Sequence, residues 1–141
     1  MTTPGPITML LVEDNPADVY FFKEALQATA LPVRLFTVND GGSAIEFLLR
    51  RGAFADAPRP DVVVLDLNLP VMNGAELLAK IFAYPEFSVL PVAVLTTSAS
   101  EESMCGDYAP GQCLYFIKTD DFSRLQEIIR EIAHHAASRM K

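Results

Sequence analysis

Hydrophobic residues gather into five short runs along the chain: Ile7–Val12, Val33–Val38, Val62–Leu65, Val92–Leu95 and Leu114–Ile117. Each run is continuous rather than alternating and rich in Val, Ile and Leu, as strands buried on both faces of a parallel sheet are. Between them lie segments with helical spacing. Ala17–Ala28 sets Val19, Phe22, Ala25 and Leu26 on one face, Ala44–Leu49 does the same with Ile45, Leu48 and Leu49, and Ala75–Phe82 follows the turn signal Asn73-Gly74. A last helix, about Phe122 to Ala136, places Leu125, Ile128, Ile129 and Ile132 at i, i+3, i+4 and i+7. Asn15-Pro16 supplies an N-cap followed by proline at the first helical position. The weakest helix is the fourth, Ser100–Tyr108, whose apolar stripe is thin, and Arg51–Pro60 is a longer connection than a strand–helix alternation requires. The pattern as a whole predicts an α/β domain with helices on both faces of a parallel sheet.

Polar residues fall at the carboxyl ends of four of these strands: Glu13-Asp14 after the first, Asp66 after the third, Thr96 after the fourth and Lys118 after the fifth. In an open α/β sheet, ligands bind outside those ends, and a strand order 2-1-3-4-5 makes the first and third strands neighbours there. Three carboxylates then converge, an arrangement that raises at least one carboxyl pKa unless a cation relieves it. A hard divalent ion such as Mg²⁺ takes oxygen donors of this kind. Asp66 stands in the otherwise apolar Val63-Val64-Leu65-Asp66-Leu67, where packing alone gives no reason for a charge. Thr96 also suits a strand, Lys118 also suits a surface, and Asn68 also suits a turn. His134 and His135 read as solvent-facing, and Phe21-Phe22 as core plus edge.

Length and composition narrow the partners. A chain of 141 residues, 50% hydrophobic and 21% charged, forms one domain with a core that needs no disulfide or metal staple. Eighteen acidic against eleven basic residues give a net charge of -7, the wrong sign for gripping nucleic acid or an anionic membrane. Met1–Pro6 has neither a basic region nor an apolar core, and Ile7–Val12 is too short for a signal sequence or a span, so a cytoplasmic location is expected. Cys105 and Cys113 form no CxxC pair and are read as reduced thiols.

Leu10-Leu11-Val12-Glu13-Asp14-Asn15, Leu65-Asp66-Leu67-Asn68-Leu69-Pro70, Thr96 and Tyr115-Phe116-Ile117-Lys118 together resemble the receiver domain of two-component response regulators, over about Thr8 to Ala136. The resemblance implies a flavodoxin-like (βα)5 three-layer sandwich with sheet order 2-1-3-4-5. It implies Asp66 as phosphoacceptor, with Mg²⁺ held by Glu13, Asp14, Asp66 and the carbonyl of Asn68. Thr96 would bond a phosphoryl oxygen, Lys118 would pair with the phosphoryl group, and Tyr115 would move between outward and inward rotamers. Asn15-Pro16-Ala17-Asp18, the Arg51–Asp61 loop, Pro91–Ser98 and Tyr108–Lys118 are similar to the single-domain regulators that serve phytochrome-type histidine kinases. The chain is thus expected to accept a phosphoryl group from such a kinase, to assist its own phosphorylation and dephosphorylation rather than act as an enzyme on others, and to signal to a protein partner. A homodimer is expected through the face of the fourth helical segment, fifth strand and last helix.

Three departures from the family pattern stand out: Thr119 where proline usually follows the lysine, Asn73 where Asp is frequent, and Gln112-Cys113 where Ala-Asn is usual. A cis bond before a residue other than proline costs roughly 2.5–4 kcal/mol, so a trans Lys118-Thr119 bond requires the lysine to approach along a different backbone path. Two other classes compete with the receiver reading. A phosphate-independent interaction module has no need to keep Glu13, Asp14, Asp66, Thr96 and Lys118 together. A Mg²⁺-dependent phosphohydrolase wants an acid two residues after its nucleophile, where this chain has Asn68.

Overall fold

The structure, a computed structural model, describes residues 6–67, 69, 74–97, 105–106, 108 and 111–139. The strands β1 (Ile7–Val12), β2 (Val33–Val38), β3 (Val62–Asp66), β4 (Val92–Thr96) and β5 (Cys113–Ile117) form one parallel sheet in the order β2-β1-β3-β4-β5. The helices α1 (Pro16–Thr29), α2 (Gly41–Leu49), α3 (Gly74–Phe82) and α4 (Phe122–Arg139) cover it on both sides. One core layer joins α2 and α3 to alternate residues of the sheet through Ala44, Phe47, Leu77, Leu78 and Ile81. The other joins α1 and α4 through Phe22, Ala25, Leu26, Ile128, Ile129 and Ile132. This is the flavodoxin-like order that the sequence implied.

The continuous apolar runs of β1, β3 and β4 are buried at every residue. β2 and β5 are not, because they are the sheet's two edges; each is mostly half-buried. α1 begins as the sequence predicts: the Asn15 side chain accepts hydrogen bonds from the Ala17 and Asp18 amides, at 2.9 and 3.4 Å, and Pro16 occupies the first turn. α2 starts earlier than expected, capped by Asp40 through Ser43 N–H, and its buried face is centred on Ala44, Phe47 and Leu48 rather than on Ile45, Leu48 and Leu49. Ile45 and Leu49 pack at the margin. All four residues foreseen for the last helix are buried.

The long connection after α2 is folded back rather than loose. It makes one 3₁₀ turn, Gly52–Phe54, with the Phe54 ring 5.4 Å from that of Phe47, and Asp61 exchanges hydrogen bonds with the Thr8 backbone.

The cysteines overturn the expectation of reduced thiols. Cys105 and Cys113 are joined in a disulfide, their Cα atoms 5.2 Å apart. The two residues, eight apart in the sequence, stand within the distance a bridge requires. His135 also departs from expectation: it is half-buried, and its ring bonds the Gly111 carbonyl at 2.7 Å, whereas His134 is exposed as foreseen. Asn68, Asn73 and most of the fourth helical segment, Ser100–Tyr108, lie outside the described residues.

Candidate functional site

The strand order decides which polar ends meet. β1 lies between β2 and β3, so the chain leaving Val12 carries Glu13 and Asp14 to the end of β3, where Asp66 is the last residue. Glu13 extends the ladder through its N–H to the Val38 carbonyl, 3.0 Å, which holds its side chain over the sheet's end. One carboxylate oxygen from each of Glu13, Asp14 and Asp66 lies within 4.8 Å of the others. Glu13 and Asp66 are 5% and 3% exposed, and Asp14 is open to solvent. An open cleft of about 350 Å³ beside Glu13 and Asp14 is walled by Thr37, Asn39 and Ser43.

Lys118, just past β5, reaches the cluster from the opposite side. Its backbone N–H bonds the Thr96 carbonyl at 2.7 Å, and its Nζ lies 2.9 Å from Glu13 Oε1 and 3.2 Å from Asp66 Oδ2. The Lys118-Thr119 bond is trans, and the lysine reaches the site nonetheless. Thr96 ends β4 beside Asp66 and is fully buried, and Tyr115 sits half-buried in β5 opposite Val94.

The charges of the cluster are unequally relieved. Burial pushes the Glu13 carboxyl up to about 7; the hydrogen bond from Lys118 opposes the shift, and the neighbouring Asp66 adds to it. For Lys118, burial alone would favour the neutral amine, but hydrogen bonds to Asp18 and Glu13 and the charges of Asp66 and Glu13 outweigh it and raise its pKa. One ammonium therefore serves several carboxylates. A buried carboxyl held partly protonated beside two others is what a hard divalent cation would relieve, and the all-oxygen donor set suits such an ion.

Two contributors escaped the sequence reading. Asp18, in the first turn of α1, bonds Lys118 Nζ at 2.9 Å. Its spacing of four from Asp14, over the predicted helix start, was the available signal. Gly74, foreseen as part of a turn, has a packing role: a Cβ there would collide with the Leu67 side chain, come within 2.6 Å of the Leu67 Cα and lie 3.2 Å from the Asp66 carbonyl. Its N–H bonds the Leu67 carbonyl at 3.1 Å, so α3 begins directly against the residues that follow the buried aspartate.

The model of the response regulator receiver domain matches residues 9–130 of this chain. The chain belongs to the response regulator receiver family. Among relatives, the response regulator Rcp1 of Synechocystis is 35% identical over 127 residues, covering 90% of this chain and 86% of that protein. The crystal structure of the phosphorylated cyanobacterial phytochrome response regulator RcpA superposes with a TM-score of 0.81 at 37% identity, covering 95% of this chain and 96% of RcpA. The Mn²⁺-bound form of Rcp1 superposes with a TM-score of 0.76 at 35% identity, over 87% and 91% of the two chains. Receivers of this family are phosphoacceptors, and this receiver's acidic cluster has the composition of a divalent-metal site.

Proposed function

We propose that this receiver is a single-domain response regulator that takes a phosphoryl group from a sensor histidine kinase, of the phytochrome type, onto Asp66. The observation that carries the reading is the position of Asp66: buried at the end of β3, 3.2 Å from the Lys118 ammonium, with Glu13 and Asp14 beside it. Glu13, Asp14, Asp66 and the carbonyl of Asn68 would hold Mg²⁺, which supplies charge neutralisation to the transferring group and to the carboxylates around it.

An Asp66 carboxylate oxygen attacks the phosphorus of the kinase phosphohistidine in line; the P–N bond breaks, and its electron pair stays on the imidazole. Lys118 stabilises the negative charge that the arriving group brings, a task of positioning rather than of proton transfer. Hydrolysis reverses the gain: water attacks phosphorus and the Asp66 carboxylate leaves. The protein assists both steps on itself and transforms no other substrate.

Thr96, buried beside Asp66, turns its hydroxyl to the new phosphoryl oxygen, and Tyr115 follows inward. This two-state shift remodels the face formed by β5 and α4. That face also pairs two copies as a homodimer, a role supported by the exposure of Ile117 and Phe122, and it presents the signal to a downstream protein. Nucleic acid is disfavoured by the net charge of -7. The protein works in the cytoplasm; among the described residues no helix is long and apolar enough to cross a membrane.

The test is intact mass after incubation with acetyl phosphate. One labile phosphoryl adduct should form with Mg²⁺, and none should form with EDTA or in Asp66→Asn. A wild-type protein that gains no adduct from acetyl phosphate or from a phytochrome-type kinase is an interaction module instead.

A further inference from the structure

A second reactive constellation lies away from the acidic site, where the chain enters β5. Cys113 is the first residue of that strand, paired with Val92, and its sulfur is bonded to Cys105. Both cysteines are half-buried at the margin of the core layer that α2 and α3 complete. Tyr108 N–H bonds the Cys105 carbonyl at 3.2 Å, and the Tyr108 ring leans on Phe82 with centroids 4.7 Å apart. On the other side of the bridge, Gly111 stands at φ 82°, its carbonyl bonded by His135, and the Gln112 side-chain amide donates to the Ser88 carbonyl.

The bridge adds a covalent link to a fold already held by other contacts. The sheet is complete from β2 to β5 through backbone pairing, and two full core layers cover it. A chain of this size has no need of a staple. Partial exposure, in turn, is what thiol–disulfide exchange requires, because an attacking thiolate must reach a sulfur. We propose that Cys105–Cys113 is a reversible thiol–disulfide site, exchanging with glutathione and with dithiol oxidoreductases, that sets how tightly the segment leading into β5 is held.

In reduction, a donor thiolate attacks one sulfur of the bridge, the S–S bond breaks, and the other sulfur leaves as a thiolate and takes a proton. The donor's second thiolate then attacks the mixed disulfide and releases the second cysteine. Two electrons and two protons pass to the protein, and the donor dithiol becomes a disulfide. Oxidation by glutathione disulfide runs the same exchange backwards and yields two molecules of glutathione. The bridge ties Cys105 to the first residue of the strand that carries Tyr115 and leads to Lys118.

The full chain equilibrated in glutathione buffers of graded ratio, then trapped with N-ethylmaleimide and weighed intact, should divide between zero and two added groups, the balance following the buffer. Hydrogen exchange on the same samples should show the amides of residues 111–114 exchanging roughly tenfold faster in the reduced form, with β1 and β3 unchanged. The Cys105→Ser/Cys113→Ser variant should match the reduced wild type in every buffer, and in-place reduction of the wild type gives the same reading without that variant. Two added groups in fully oxidising buffer, a bridge that stays closed in fully reducing buffer, or exchange that is equal in both states or altered throughout the sheet would each overturn the proposal. No step of the test uses phosphorylation, so its outcome is independent of the role of Asp66.

Discussion

Glu13 is the residue at which the site's electrostatics are most exposed to measurement. Its carboxyl titrates near 4.5 in an unfolded chain and near 7 in the folded one, so the folded state carries an extra proton between those values. That carboxyl therefore favours the folded state below about pH 4.5, and the contribution is lost as pH rises through about 7. The full range of the effect is at most about 3 kcal/mol at 1.36 kcal/mol per pKa unit. Urea unfolding in EDTA should show Glu13→Gln gaining stability relative to wild type as pH is raised from 4.5 to 8; a difference that is flat with pH contradicts the burial argument. Divalent-ion binding must displace the same proton, so isothermal titration should find Mg²⁺ bound more weakly at pH 6 than at pH 8. Gly74 gives a test of a different kind. Gly74→Ala forces a methyl group against Leu67 and should cost on the order of 1–3 kcal/mol in urea unfolding. An unchanged midpoint would mean that α3 does not start as close to β3 as the geometry has it.

Elements were legible to the extent that their cause was local. The apolar runs of β1, β3 and β4 could be read because both faces of a central strand are covered, and the Asn15-Pro16 start of α1 because capping is a nearest-neighbour matter. Asn15→Ala removes the acceptor for the Ala17 and Asp18 amides and should lower stability by about 0.5–2 kcal/mol, read as a shift of the urea midpoint with unchanged slope. The face of α2 was harder to read: with Ile45, Phe47, Leu48 and Leu49 in one turn and a half, several faces are apolar, and packing against the sheet and α3, not the sequence period, selects Ala44, Phe47 and Leu48. The Cys105–Cys113 bridge had no local signature, since neither a CxxC pair nor a cysteine-dense framework announces it and only the Cα separation of 5.2 Å does. Gly74 was legible as a turn former but not as a close approach, which needs the position of Leu67.

For the molecule as a whole, the acidic site is the product of topology. Glu13, Asp14, Asp66 and Lys118 are scattered along the chain, and only the order β2-β1-β3-β4-β5 gathers them at one end of the sheet. The residue types at strand ends made the cluster readable in advance; the share of Lys118 taken by Asp18 was not, because it depends on the placement of α1 over that end. The proposed homodimer is a claim at this scale too. Light scattering over a concentration series should give twice the chain mass, and Ile117→Asp or Phe122→Asp should return it to the monomer; a constant monomer mass, phosphorylated or not, removes the dimer from the account.

The central claim is that Asp66 carries the phosphoryl group, and its most direct test is to locate the modification within the chain. Protein treated with acetyl phosphate and Mg²⁺, reduced with borohydride to convert an aspartyl phosphate to homoserine, and digested for peptide mass analysis should show the conversion at position 66. Conversion at Glu13, Asp14 or Asp18 instead, or a stable adduct that borohydride leaves intact, would contradict the account.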